Sequence, residues 1–272
     1  MPGHGKKQHP MSKKVIWITG ASSGIGRELA LQYAAAGNCQ IILSARRTTV
    51  LKEVQKLCSQ WCSTEILPFD LKNTVTASQH VEKAIGFFGH VDLLINNGGV
   101  SQRSKIMDTD FSVFETLIQV DYLGTVALSR ALLPHFIQRQ QGHFAVVTSV
   151  MGKYSSPYRA GYAGAKHALH GFFDGLRMEH AEDGVAVTLI CPGFVQTNIS
   201  LNALTGDGSA LGSNDPTTAS GLTLKPFCKK VIRAIGDKQW EVYFGKKEKL
   251  GVYLKRISNR LLHYIVVRSN VR

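Results

Sequence analysis

Tyr162 and Lys166 stand four residues apart inside a stretch of helical apolar spacing, so both side chains leave one face of that helix. A free phenol ionises near pH ~10, too high for proton exchange at neutral pH, and an ammonium one turn away favours the phenolate. Ser149 closes an apolar, β-branched run, which puts its hydroxyl at the carboxyl edge of a strand, where open α/β sheets bind ligands. Together the three suit one chemistry: Tyr162 exchanges a proton with a forming alkoxide, Lys166 makes the phenol acidic enough to do so, and Ser149 orients the oxygen. Y-x-x-x-K alone recurs in helices with only a structural role, so its weight depends on the rest of the chain.

The first strand-like run, 15–19, passes through Gly20, Ser22, Ser23, Gly24, Ile25 and Gly26 straight into a helical pattern. A turn between a strand's end and a helix N-terminus offers unpaired N–H groups and a positive dipole end, and glycines let a pyrophosphate reach the backbone. The spacing is G-x-x-x-G-x-G rather than G-x-G-x-x-G. A glycine cluster is as often a plain turn, but its place after a first buried strand favours the cofactor reading. About twenty residues on, where an acidic residue would take a ribose 2′-OH, the chain has Ser44-Ala45-Arg46-Arg47. A guanidinium fork matches a 2′-phosphate, which points to NADP(H); the plainer alternative is that Arg46 and Arg47 open a solvated helix.

The elements that must hold these groups alternate. Strand-like runs at 15–19, 41–44, 65–69, 91–95, 144–148 and 185–190 are separated by helical stretches near 24–36, 48–61, 73–88, 111–139 and 158–182. The expected fold class is therefore α/β, a Rossmann-type doubly wound parallel sheet with helices on both faces. Residues 197–222, rich in Ser, Thr, Asn, Asp and Gly, read as a long mobile loop, the 198–222 part closing a substrate pocket. A helix at 224–235 and a strand at 240–244 follow. One helix is then expected over 250–268, with Leu250, Leu254, Ile257, Leu261 and Ile265 as its stripe.

At 272 residues and 44% apolar content the chain suits one globular domain, over 14–245, with a basic tail at 1–13 and a basic amphipathic extension at 246–272. Its net charge of +13 is terminal: residues 1–14 carry +4 and 225–272 carry +10, leaving −1 for the body. Five cysteines, an odd count without metal-ligand spacing, suggest a reducing, cytoplasmic setting, and neither a signal peptide nor a span is expected. His167 and His170 read as surface or substrate-lining groups rather than metal ligands, and no nucleic-acid docking motif accompanies the charge.

The glycine loop, Ser149, the Tyr162/Lys166 pair and Cys191-Pro192-Gly193-Phe194-Val195-Gln196-Thr197 together resemble the single-domain short-chain dehydrogenase/reductases over residues 13–245. Asn96-Asn97-Gly98-Gly99-Val100 and Tyr122-Leu123-Gly124-Thr125-Val126 are similar to the member-7 branch, whose animal enzymes are membrane-attached NADP(H)-linked reductases of lipophilic carbonyls. The resemblance implies Gly20, Ser22, Ser23, Gly24, Ile25 and Gly26 at the pyrophosphate and adenosine ribose, Arg46 at the 2′-phosphate, and Asp70 with Leu71 at adenine. It further implies Asn97 and Gly98 along the ribose, Tyr162 and Lys166 on the nicotinamide ribose, and Pro192, Gly193, Val195 and Thr197 around the carboxamide. The substrate would be a small apolar carbonyl or alcohol, and assembly a homodimer or homotetramer through the helices near 111–139 and 158–182.

Three positions depart from the family pattern. Asp121 replaces an Asn of the catalytic tetrad, whose main-chain carbonyl holds a proton-relaying water; Gly98 replaces a usual Ala, and Ala165 a frequent Ser. A carboxylate at 121 would raise the pKa of Lys166 and weaken its effect on Tyr162. An active enzyme is expected, the rival reading being an NADP-binding regulatory or membrane-adaptor protein without turnover. The basic C-terminal helix reads equally as an interfacial helix on acidic lipid, giving peripheral membrane contact, or as a lid or dimer element with a solvated basic face.

Overall fold

The computed structural model describes residues 13–213 and 216–269; nearly all of the expected N-terminal tail lies outside them. Seven strands, β1 (Lys14–Thr19), β2 (Cys39–Ser44), β3 (Thr64–Ile66), β4 (Leu93–Asn96), β5 (Gly142–Val147), β6 (Val185–Pro192) and β7 (Glu241–Phe244), form one sheet. Its order is β3-β2-β1-β4-β5-β6-β7, and every pairing is parallel. The doubly wound α/β architecture is thus present. Chain order reverses between β1 and β4, and the carboxyl ends of those strands open the crevice where this architecture binds ligands.

Helices follow in turn: α1 (Gly24–Ala36), α2 (Thr48–Cys58), α3 (Ala77–Phe88), α4 (Phe111–Leu117), α5 (Gly124–Gln138), α6 (Ala160–Glu179), α7 (Pro216–Ala219), α8 (Leu224–Gly236), α9 (Leu250–Ile257) and α10 (Asn259–Arg268). Strand side chains alternate between two cores because a strand's period is two. Ile16 and Ile41 meet Leu29, Leu51 and Val231 of α1, α2 and α8 on one face. On the other, Trp17 and Phe144 meet Val81, Leu128 and Phe173 of α3, α5 and α6. With both faces covered, the strands can be continuously apolar, which is why they were legible as runs.

Three expectations change. The helix expected over 111–139 is interrupted by a π-helical turn, Ile118–Leu123, between α4 and α5. The extra residue in that turn accompanies an Asp121 that is fully buried. The helix expected over 250–268 breaks at Ser258, whose backbone is extended (φ −155°, ψ 108°) and whose Oγ accepts from Leu261 N at 3.2 Å to start α10. The break resets the helical phase, so Leu254, Leu262 and Val266 pack inward while Leu250, Ile257, Leu261 and Ile265 stay exposed. Residues 197–222 are more organised than a plain loop: Leu204 bridges both Gln102 and Ala210, Val195 bridges Leu222, and α7 lies within the segment.

Candidate active site

Gly20 and Gly24 both have positive φ (64° and 53°), a conformation that L side chains disfavour. A Cβ at Gly20 would lie 2.8 Å from Gly98 Cα, so this loop and the end of β4 pass each other at backbone contact. Thr19 ties them: its Oγ1 accepts from the N–H groups of Asn97 and Gly98 at 3.0 Å, and Asn97 Nδ2 donates to Thr19 O at 3.0 Å. Gly26 has a different duty. It does not line the groove, and a Cβ there would sit 2.5 Å from Gly20 O, so it lets α1 press against the loop.

The result is a groove of about 570 Å³ across the carboxyl ends of β1, β2 and β4. Gly20, Ser22, Ser23, Gly24 and Ile25 line it, and farther along so do Asp70, Leu71, Asn97 and Gly98. Lys72 N donates to Asp70 Oδ1 at 3.0 Å, closing a turn that presents Leu71. A Cβ on Gly98 would fall 2.7 Å from Leu71 Cδ1, so the leucine fills the space an alanine methyl would take. Arg46 and Arg47 both stand exposed at the rim, and Arg47 Nη2 donates to Ser22 Oγ at 3.2 Å. The second arginine, Thr19, Phe69 and Gly99 are wall residues that sequence reasoning did not assign; only strand register brings them together.

A second chamber of about 750 Å³ opens from the first, sharing Ile25, Asn97, Gly99, Val100, Thr197 and Ile199 as a common wall. Ser149, Tyr162 and Lys166 line it, as do Pro192, Gly193, Val195 and Thr197. The groups singled out first thus line the same chamber, next to the groove. Gln102 sets the start of α6 by accepting at Oε1 from Gly161 N (2.9 Å) and Tyr162 N (3.3 Å), satisfying two free N–H groups at the helix start. Lys166 Nζ lies 5.6 Å from the Tyr162 ring centre and donates to Val147 O at 3.3 Å. Ser149 Oγ accepts from Met151 N at 3.1 Å and donates to Pro192 O at 3.3 Å, which fixes its rotamer.

Beneath Lys166 lies Asp121. Its Oδ1 accepts from Val100 N at 2.7 Å, and Oδ2, without a hydrogen-bond partner, faces Lys166 Nζ at 3.5 Å. Burial pushes the Asp121 carboxyl up from its ordinary value, against the pull of Lys166 and the Val100 N–H. Burial alone would lower Lys166; the Asp121 carboxylate and the Tyr162 phenol outweigh it and raise the ammonium's pKa. The pair titrates as a unit, and the ammonium is its better-held charge.

His170 corrects an expectation, since it is buried and lines neither the groove nor the chamber, while His167 is half-buried and also lines neither. His170 is buried under Gly152, with Nε2 3.8 Å from Cys191 Sγ and Nδ1 3.7 Å from Glu241 Oε2. Lys153 Nζ already holds that carboxylate at 2.9 Å, so the charge a metal would bring is supplied by a lysine. The Cys191 thiol is pushed up to about 12, chiefly by burial.

Over the chamber lie α9 and α10. Gly251 lets α9 sit against Tyr154, where a Cβ would come within 2.6 Å of the ring, and Tyr154 OH donates to Glu248 O at 2.7 Å. Glu248 Oε1 in turn accepts from Phe194 N at 3.1 Å, joining this roof to the segment after β6.

The family model described as short chain dehydrogenase matches residues 14–207, most of the chain and both halves of this site. The chain belongs to the short-chain dehydrogenase family. Within it the chain lies in the member-7 branch of these dehydrogenase/reductases. It is 36% identical to a Drosophila melanogaster dehydrogenase/reductase SDR family protein 7-like over 98% of this chain and 83% of that one. To the Xenopus laevis family member 7B it is 39% identical, over 93% and 80%. To the human family member 7 it is also 39% identical, over 87% and 71%. Among solved structures, a short-chain dehydrogenase/reductase from Burkholderia phymatum in complex with NAD superposes with a TM-score of 0.82 at 22% identity, over 93% and 96%. An alcohol dehydrogenase from Thermococcus sibiricus complexed with 5-hydroxy-NADP gives 0.73, also at 22%, over 86% and 96%. For this short-chain dehydrogenase these two likenesses speak to the fold.

Proposed function

We propose that this short-chain dehydrogenase/reductase is NADP(H)-dependent and interconverts a carbonyl and an alcohol on a small apolar molecule. The observation that carries the reading is that Ser149, Tyr162 and Lys166 line one chamber, which shares a wall with a glycine-lined groove. The groove suits the dinucleotide: Gly20, Ser22, Ser23 and Gly24 wall it, and two exposed guanidinium groups stand at the rim for a 2′-phosphate. Solved structures complexed with NAD and with 5-hydroxy-NADP share this fold.

When bound, the nicotinamide supplies the hydride. The chain does the rest. Ser149 Oγ turns its hydrogen from Pro192 O to the substrate oxygen and fixes that atom beside the phenol. Tyr162 gives its hydroxyl proton to the oxygen as the carbonyl is reduced, or takes one in the reverse direction. The Lys166 ammonium, 5.6 Å from the ring, stabilises the phenolate left behind. Thr197, Ile199 and the roof helices wall the chamber and so limit the water that reaches it.

The test is NADPH consumption with a panel of aldehydes, ketones and quinones. Tyr162→Phe should lower turnover by about 100-fold to 10,000-fold while leaving NADPH binding in place. Binding without turnover of any carbonyl by the unaltered protein would favour the regulatory reading instead.

A further inference from the structure

The roof has two faces. Leu254, Leu262 and Val266 point into the chamber, whereas Tyr253, Ile257, Leu261, Tyr264 and Val267 stand in solvent on the other side, Ile257 at 80% exposure. Tyr253 and Ile257 are four apart on α9, and Leu261 and Tyr264 follow at i, i+3 on α10, so each helix offers an outward apolar stripe. Residues 246–269 also hold seven Lys/Arg against a single acid, Glu248, which is turned inward onto Phe194 N. Lys249, Lys255, Arg256 and Arg260 are exposed and have no ion-pair partner among the described residues.

We propose that the outer face of α9–α10 docks on an anionic lipid surface, so that the chamber it roofs fills from the bilayer. Water leaves the apolar stripe uncovered. A second copy meeting it across a two-fold axis would set a net charge of +6 against +6. An acidic bilayer complements both features, taking the apolar side chains at the acyl boundary and the cations at the headgroups. No helix among the described residues is long and apolar enough to cross a membrane, so the contact is interfacial. Docking stands independently of the catalytic reading, while filling of the chamber with a lipophilic carbonyl rests on it.

The experiment is sedimentation of the full chain with phosphatidylcholine vesicles and with vesicles containing phosphatidylserine. Binding should appear with the second, weaken in 0.5 M salt as a Debye length of about 4 Å implies, and fall by more than about 100-fold in Lys255→Glu/Arg256→Glu/Arg260→Glu, at about fivefold or more per charge. Ile257→Glu/Leu261→Glu should also release the protein. All five side chains are exposed, and a melting curve confirms that each variant folds; should one fail to fold, the salt dependence of the unaltered protein decides. Equal binding to both vesicle types, or no binding, overturns the proposal, as does a concentration-dependent dimer that Ile257→Glu/Leu261→Glu abolishes. In the same vesicles, a long-chain aldehyde should be reduced faster by the unaltered protein than by the triple charge variant, with a short soluble aldehyde reduced equally by both. If neither aldehyde is reduced, the catalytic reading fails while sedimentation still decides docking.

Discussion

Asp121 Oδ2 sits 3.5 Å from Lys166 Nζ, with both side chains sealed from solvent. The carboxylate offsets part of the field that the Lys166 ammonium exerts on its surroundings. Asp121→Asn keeps the acceptor for Val100 N–H and removes the negative charge. The alkaline limb of kcat/KM for reduction should then move to lower pH, because the Lys166 ammonium is no longer offset by a neighbouring carboxylate. A pH profile unchanged by the substitution would show that the carboxylate is electrostatically silent.

Arg46 and Arg47 share the groove rim, and the Arg47 hydrogen bond to Ser22 holds that guanidinium beside the phosphate loop. Arg46→Asp should raise KM for NADPH by about 10-fold to 100-fold, the worth of one or two charge-assisted hydrogen bonds, and should lower KM for NADH. Arg47→Ala should raise KM for NADPH by a smaller factor. Steady-state kinetics with both nucleotides checks the pair; an unaltered NADPH KM in Arg46→Asp would place the 2′-phosphate elsewhere.

In Gly26→Ala, the new methyl would meet Gly20 O and Asn97 Nδ2 at 2.5 Å, and the carbonyl belongs to backbone that cannot swing away. Alanine normally improves a helix interior by about 1 kcal/mol, yet overpacking of this kind costs about 1–3 kcal/mol or more. The net expectation is a loss of about 1–2 kcal/mol, seen as a melting temperature lower by several degrees.

His143 lies buried in β5, its Nε2 2.9 Å from Thr188 Oγ1 on β6. Burial, aided by Lys14 and Lys238, lowers its pKa to about 3. A depressed folded pKa means that the unfolded chain binds the proton more readily, so stability is intact above pH ~6.5 and lost as pH falls toward the folded value. At pH ~4.5 the loss from this one group is of order 3 kcal/mol. His143→Gln, which can still bond Thr188, should flatten the acid slope of urea-unfolding free energy between pH ~6.5 and ~4.5. An equally steep slope would assign the acid sensitivity to other groups.

Much of the fold was readable before any coordinates. Strands buried on both faces appear as unbroken apolar runs such as Val15 to Thr19, and each helix between them has its own stripe. The glycine loop, Ser149 and the Tyr162/Lys166 pair were readable because their chemistry depends on local spacing at strand ends and helix starts. Boundaries were less so: the apolar spacing along the sequence runs on through Ile118–Leu123 and Ser258 without marking where the helical phase is reset.

What the sequence by itself determined is the alternation of elements and the identity of the reacting groups, since both follow from short-range periodicity and side-chain type. Tertiary structure alone decided that Asp121 faces Lys166, that Gln102 caps α6, that Gly26 packs rather than lines the groove, and that the C-terminal helices turn one stripe inward and another out. Those are relations between residues far apart in the chain, set by which strand lies beside which and by the phase at which each helix meets its neighbour. No local pattern carries that phase, because it is fixed only when the elements pack.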